Sequence, residues 1–248
     1  MPGHERPPDA PVLSPVPPAL VRGELTPLGL LPGSSNAALL ARCVEGDDER
    51  LAVYKPARGE TPLWDFPGGT LHRREVAAFE VARALGWPNV PPTVLRDGPF
   101  GPGSVQAFVV ADPEQHYFTM ETERADDFRL VALFDLLVNN ADRKAGHCLL
   151  DAEGTIWVID HGVCFAVEPK LRTVIWEYID EPFPSVAASD LDRVVTGLGP
   201  GGPLRAPLTA LLDPDEVDAT ERRGRALLRA GVYPEPDPAT RPFPWPPI

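Results

Sequence analysis

The chain has 248 residues, 43% of them hydrophobic and 24% charged, enough for one domain with a substantial core or for two small lobes. Its formal net charge of −13, without a long basic run, excludes a phosphate-neutralising nucleic-acid surface and a polybasic lipid-docking face. No apolar run approaches the ~20 residues of a membrane helix and no basic-then-apolar leader opens the chain, so we expect a cytoplasmic protein that meets a small molecule or another protein.

Residues 1–18 are rich in proline with little to bury, and are expected to form an extended tail. Strand-like segments follow at 19–25 and 36–44. Between them Ser34, Ser35 and Asn36 follow a glycine. Such a turn exposes backbone N–H groups and hydroxyls that cradle phosphate, and it serves equally as a plain hairpin turn. Residues 51–56 (LAVYKP) read as an apolar strand ending in Lys55. A turn-rich insert over 58–70 holds Trp64, Phe66 and two adjacent glycines, and suits a lid or a docking loop.

A helix is predicted over 72–85, stopped by Gly86 and Pro88. At 100° per residue Glu75 falls among Ala78, Phe79 and Ala82, on the apolar arc, whereas Glu80 falls beside Arg73 and Arg83. A carboxylate on a core-facing arc needs a cation, and Lys55 is the candidate. Strands at 89–95 and 103–110 follow; the second carries Gln106 and runs into a hinge near 109–113, where the backbone at Val109 is placed to hydrogen-bond a planar base.

After an acidic, irregular stretch comes a densely apolar helix over 128–138, then a polar loop over 139–147. Two short β-rich runs around an Asp-Ala-Glu-Gly turn read as a hairpin that ends on Asp160-His161-Gly162. Its base brings Asp142, His147 and Asp160 together. An aspartate in such a loop is by itself more often a turn former or cap. Past the hairpin, Lys170 and Arg172 sit where they either reach a substrate or stand solvated, and 174–179 is aromatic core. Helices are predicted over 185–197 and 214–230, and 233–248 is a second proline-rich tail. Three cysteines without metal-type spacing (Cys43, Cys148, Cys164) read as buried thiols.

The order of these features resembles that of protein kinases: strand lysine, helix glutamate, hinge, catalytic-loop aspartate, a metal ligand five residues on, and an Asp-x-Gly turn after a hairpin. The Asp142-Arg143-Lys144 loop resembles most that of the phosphatidylinositol 3-/4-kinase-like superfamily, including a group of actinobacterial proteins; the similarity spans 19–179. It implies an α+β, two-lobed fold, with a small antiparallel β-rich lobe carrying one helix (19–112) and a mainly helical lobe with the catalytic hairpin (113–232). It also implies ATP and Mg²⁺, with Mn²⁺ as an alternative, and transfer of the γ-phosphate to a protein or small-molecule hydroxyl. Lys55, Ser34, Ser35, Asn36, Gln106 and Val109 would contact the nucleotide, with Glu75 positioning Lys55. Asp160 and His147 would hold the metal, and Asp142 would orient the acceptor. His147 departs from the pattern, because an imidazole stands where an amide oxygen is usual and suits Mg²⁺ less well.

Three other readings remain open at this level. One is a non-catalytic nucleotide-binding module, in which His147 marks lost metal binding. Another is a metal-dependent hydrolase using Asp142, His147, Asp160 and His161. The last is transfer of AMP in place of phosphate.

Overall fold

The structure, a computed structural model, describes residues 15–32, 36–239 and 241–248. Most of the N-terminal proline-rich tail therefore lies outside the described residues. Its end does not stay extended, and the strand expected from residue 19 does not begin there. Pro18–Arg22 form a short helix, α1, with proline in its first turn, where the missing N–H costs nothing, and with Ala19 and Leu20 fully buried.

Five strands make one antiparallel sheet: β1 (Glu24–Leu30), β2 (Leu39–Glu45), β3 (Asp48–Pro56), β4 (Thr93–Gly98) and β5 (Gly101–Ala107), in the order β1-β2-β3-β5-β4. Alternation fixes which face is covered. On β3, Ala52, Tyr54 and Pro56 are buried, and Lys55 points to the opposite face. Ala41, Cys43, Ala52, Tyr54 and Val105 pack under α1 as a small apolar core. Lys55 stands opposite Ser104 in the β3–β5 register. Gly103 next to it has no room for a side chain, since a Cβ there would lie 2.5 Å from the Lys55 carbonyl oxygen.

Helix α2 (Leu71–Leu85) connects the sheet to the rest, one residue longer than predicted, and ends on Gly86 in the left-handed region at φ 92°. The remaining elements are mainly helical. They are α3 (Tyr117–Met120), α4 (Ala125–Val138), the hairpin β6 (Cys148–Leu150) and β7 (Ile156–Val158), then α5 (Ser185–Leu198), α6 (Arg205–Thr209) and α7 (Pro214–Ala230). A second, larger core joins α2, α4, α5, α7 and the hairpin through residues such as Phe79, Phe134, Leu137, Val158, Leu191 and Val217. The acidic stretch before α4 thus contains a helical turn, α3, with Tyr117 fully buried.

This is the α+β, two-lobed arrangement that the sequence predicts: an antiparallel sheet with one packed helix, followed by a helical half that carries a hairpin. The three cysteines are buried free thiols. Among the described residues no helix is long and apolar enough to cross a membrane.

Candidate active site

The site forms where the end of β3, the first turns of α2 and the two ends of the hairpin converge. Lys55 ion-pairs with Glu75 Oε1, and its Nζ lies 3.1 Å from Asp160 Oδ1. Glu75 is 2% exposed, and its other oxygen accepts the backbone N–H of His161 at 3.0 Å. One glutamate therefore ties the lysine strand to the Asp160-His161-Gly162 turn. Burial disfavours the Lys55 ammonium, but the charges of Asp160 and Glu75 more than offset it and hold its pKa above the ordinary lysine value. The Lys55 charge holds the Asp160 carboxyl far below the usual carboxylate range, so Asp160 is ionised at neutral pH. Asp160 takes a left-handed backbone, φ 64°, a conformation aspartate tolerates better than most residues. Its side chain is 49% exposed, so the carboxylate is open to a ligand.

His147 and Asp142 occupy the loop between α4 and β6. His147 Nε2 lies 3.3 Å from Asp160 Oδ2, and its Nδ1 faces the backbone N–H of Lys144 at 3.4 Å. Two acceptors would repel at the Asp160 contact, so the ring proton sits on Nε2. Burial lowers the His147 pKa to about 4, which leaves the ring neutral at pH 7. Asp142 is half-buried, and its backbone N–H donates to Asn140 Oδ1 at 3.0 Å. Burial raises the Asp142 pKa, against the pull of Lys144, whose Nζ is 3.5 Å away, and of Arg172.

Arg143 holds this loop in place and was not assigned a role from sequence. It is fully buried, gives Asp135 of α4 two hydrogen bonds at 2.8 and 2.9 Å, and donates to the Ile159 carbonyl at 2.9 Å. Its Nη2 is 2.7 Å from His161 Nε2, so that nitrogen is the acceptor and the His161 proton sits on Nδ1. His161, fully buried against the Phe134 ring, is therefore engaged by Arg143, and the hydrolase reading loses that ligand. Among the described residues no three His, Cys, Asp or Glu side chains are grouped as a metal held by protein alone would need.

The remaining predicted contacts are dispersed. Ser34 and Ser35 lie outside the described residues. Asn36 Oδ1 accepts the Thr61 backbone N–H at 2.7 Å, which ties it to the insert. Gln106 is buried on β5 and donates to Thr93 Oγ1 at 2.8 Å. Val109 is half-buried in the connection from sheet to hairpin, which is anchored by Phe108 N–H on Leu51 O at 3.0 Å and Asp112 N–H on Leu150 O at 2.9 Å.

Protein Rv2133c of Mycobacterium tuberculosis is 39% identical to this chain over 264 residues, covering 92% of this chain and 93% of the mycobacterial one. The chain belongs to the family of that protein. No family model matches. Among solved structures, the Helicobacter pylori proinflammatory kinase CtkA is 13% identical and covers 83% of this chain and 97% of its own, with a TM-score of 0.47.

In this member of the Rv2133c family, two further segments close on the site. The 58–70 insert packs Phe66 against Leu71, Ala141 and Ala166, so it touches the residue just before Asp142. Lys170 fastens it, with Nζ 3.0 Å from Asp65 Oδ2 and 4.9 Å from the Phe66 ring centre. The proline-rich stretch after α7 also runs back to the loop, where Pro247 O accepts the Ala145 N–H at 2.8 Å.

Proposed function

We propose that the chain is an ATP- and Mg²⁺-dependent phosphotransferase that moves the γ-phosphate to a hydroxyl of a small molecule or protein. The observation that carries this reading is the Lys55–Glu75–Asp160 arrangement, which joins strand, helix and hairpin at one open carboxylate. In it Lys55 stays protonated and faces the nucleotide phosphates, while Glu75 fixes the lysine from behind. Asp160 would hold Mg²⁺ through an ionised, half-exposed carboxylate. An oxygen ligand of this kind, completed by phosphate oxygens, fits a hard cation that keeps few protein ligands. When bound, the ion neutralises charge on the phosphates.

With its proton on Nε2, His147 turns a polar N–H toward Asp160 Oδ2, 3.3 Å away, and does not offer a lone pair to the metal. Asp142 accepts the proton of the attacking hydroxyl as the new O–P bond forms and the bond from the γ-phosphorus to the bridging oxygen breaks, releasing ADP. Lys144, beside Asp142, adds positive charge next to the transferring group.

The His147 orientation also gives the non-catalytic module its one specific support. ATP turnover and Mg²⁺-dependent nucleotide binding, measured on wild type, Asp142→Asn and Asp160→Asn, separate the two. The transferase reading expects wild-type turnover to be lost in both variants, with Mg²⁺-dependent binding lost in Asp160→Asn alone. Nucleotide binding without turnover in wild type supports the module. Full turnover by Asp160→Asn sinks the assignment.

A further inference from the structure

Resting on the phosphotransferase reading, we infer that the acceptor carries a phosphate or carboxylate group, and that Arg172 is the residue that binds it beside Asp142. Arg172 is clamped onto the catalytic loop by its backbone. Its N–H donates to Asn140 O at 2.9 Å and its carbonyl accepts the Arg143 N–H at 2.9 Å, one bond on each side of Asp142. The adjacent Thr173 pairs with Arg143 as an isolated parallel bridge, which fixes the direction of the segment. The Arg172 charge is near enough to pull on the Asp142 carboxyl.

The side chain is what calls for a ligand. Among the described arginines, Arg58, Arg73, Arg172, Arg222, Arg229 and Arg241 make no side-chain hydrogen bond or ion pair, and all but Arg172 are exposed. Every other described arginine that is not exposed donates to a carboxylate or a carbonyl, so in a chain of net charge −13 Arg172 alone of these keeps its guanidinium uncommitted beside Asp142. The neighbouring cations differ in what they have left to offer. Lys170 is committed to Asp65 and to the Phe66 ring, and Lys144 stands 3.5 Å from Asp142. The one acidic side chain of the segment, Glu168, is exposed and makes no ion pair with Arg172.

A guanidinium presents a planar fork that matches phosphate or carboxylate oxygens two at a time. An acceptor held by such a fork, with its hydroxyl at Asp142, is positioned on both sides of the loop. Uncharged alcohols make no such contact and are disfavoured.

The test uses the full chain saturated with Mg²⁺ and a non-hydrolysable ATP analogue, so that the nucleotide's own phosphate contacts are filled. Inorganic phosphate, glycerol 3-phosphate and glycerol are titrated by calorimetry against wild type, Arg172→Ala and Arg172→Lys. We expect both phosphates to bind wild type saturably and glycerol not to bind. Arg172→Ala weakens phosphate binding about tenfold or more, and Arg172→Lys restores part of it. Equal phosphate affinity in wild type and Arg172→Ala, or no phosphate binding at all, overturns the proposal. Nucleotide affinity is measured alongside: Arg172-dependent phosphate binding without nucleotide binding keeps the anion site and removes the transferase reading. Sedimentation with phosphatidylcholine vesicles, with and without phosphatidylinositol 4-phosphate, distinguishes the source. Arg172-dependent retention only on the phosphorylated vesicles assigns the site to a lipid headgroup, and absence of retention assigns it to a free acceptor.

Discussion

The carbonyl of Pro247 accepts a 2.8 Å hydrogen bond from the backbone N–H of Ala145, three residues after Asp142 and two before His147. The last stretch of the chain is therefore part of the wall around the Asp142 loop. Pro242 supports it from behind, its carbonyl accepting the Thr173 N–H at 2.9 Å and Trp176 Nε1–H at 3.3 Å. Removing residues 241–248 takes away three such bonds at about 1 kcal/mol each. We expect a loss of about 2–3 kcal/mol and faster amide exchange at Ala145 and Thr173, with the β1–β5 sheet unchanged. Unaltered exchange at Ala145 in the shortened chain would show that the tail does not cover the loop.

The Lys55–Glu75 pair predicts strong energetic coupling. Lys55→Met strands a buried carboxylate, and Glu75→Gln removes the charge that Lys55 needs while weakening the acceptor for the His161 amide. A double-mutant cycle on unfolding free energy should give a coupling of about 1–3 kcal/mol between the two positions. Additive effects would mean that the pair is not formed in solution.

Arg143 and Asp135 are both fully shielded from solvent, and neither has an alternative partner of opposite charge. Arg143→Met leaves Asp135 buried and unpaired, at a cost of about 3–5 kcal/mol in denaturant unfolding. Exchanging both together, as Asp135→Leu with Arg143→Met, should recover much of that stability, because an apolar pair has no desolvation penalty. It should not recover turnover, since the Arg143 bonds to Ile159 O and His161 remain lost. A double variant with wild-type turnover would reduce Arg143 to a purely structural residue.

Side-chain patterning made most of this site legible in the sequence. The 100° period put Glu75 on the buried arc of α2, and Lys55 lies one residue before the end of β3, close to the expected place although the strand starts earlier, because both signals come from local alternation of apolar and polar residues. The loop spacing placed His147 beside Asp160 because a two-stranded hairpin of short, fixed register lies between them. Arg143 was missed because a charged residue in a polar loop looks solvated. Its signal was Asp135, a carboxylate set within the apolar run of α4, eight residues upstream. The docked tail had no side-chain signal at all, because its anchors are proline carbonyls, and composition alone reads as an extended chain. The start of the fold was misjudged for a related reason: a proline-led segment with three apolar residues suits a short helix as well as a strand.

The insert is held to α2 by Glu60, whose Oε1 accepts both the backbone N–H of His72 at 2.9 Å and its ring Nδ1–H at 2.7 Å. Burial pushes the Glu60 carboxyl up, but these bonds more than offset it, and its pKa lies below the ordinary glutamate value. A carboxyl with a depressed pKa in the folded state adds stability above its unfolded pKa, about 4.3, and that stability disappears as pH falls through the lower folded value. Wild type should therefore lose an increment of thermal stability on acidification below about pH 4.3 that Glu60→Gln has already lost at neutral pH. Because Phe66 of the same insert packs on Ala141, Glu60→Gln should also speed amide hydrogen exchange across the insert. Parallel acid titrations of wild type and variant, with amide exchange in the insert as the local reporter and melting temperature as the global one, check both parts. Superimposable curves would place the anchor of the insert elsewhere.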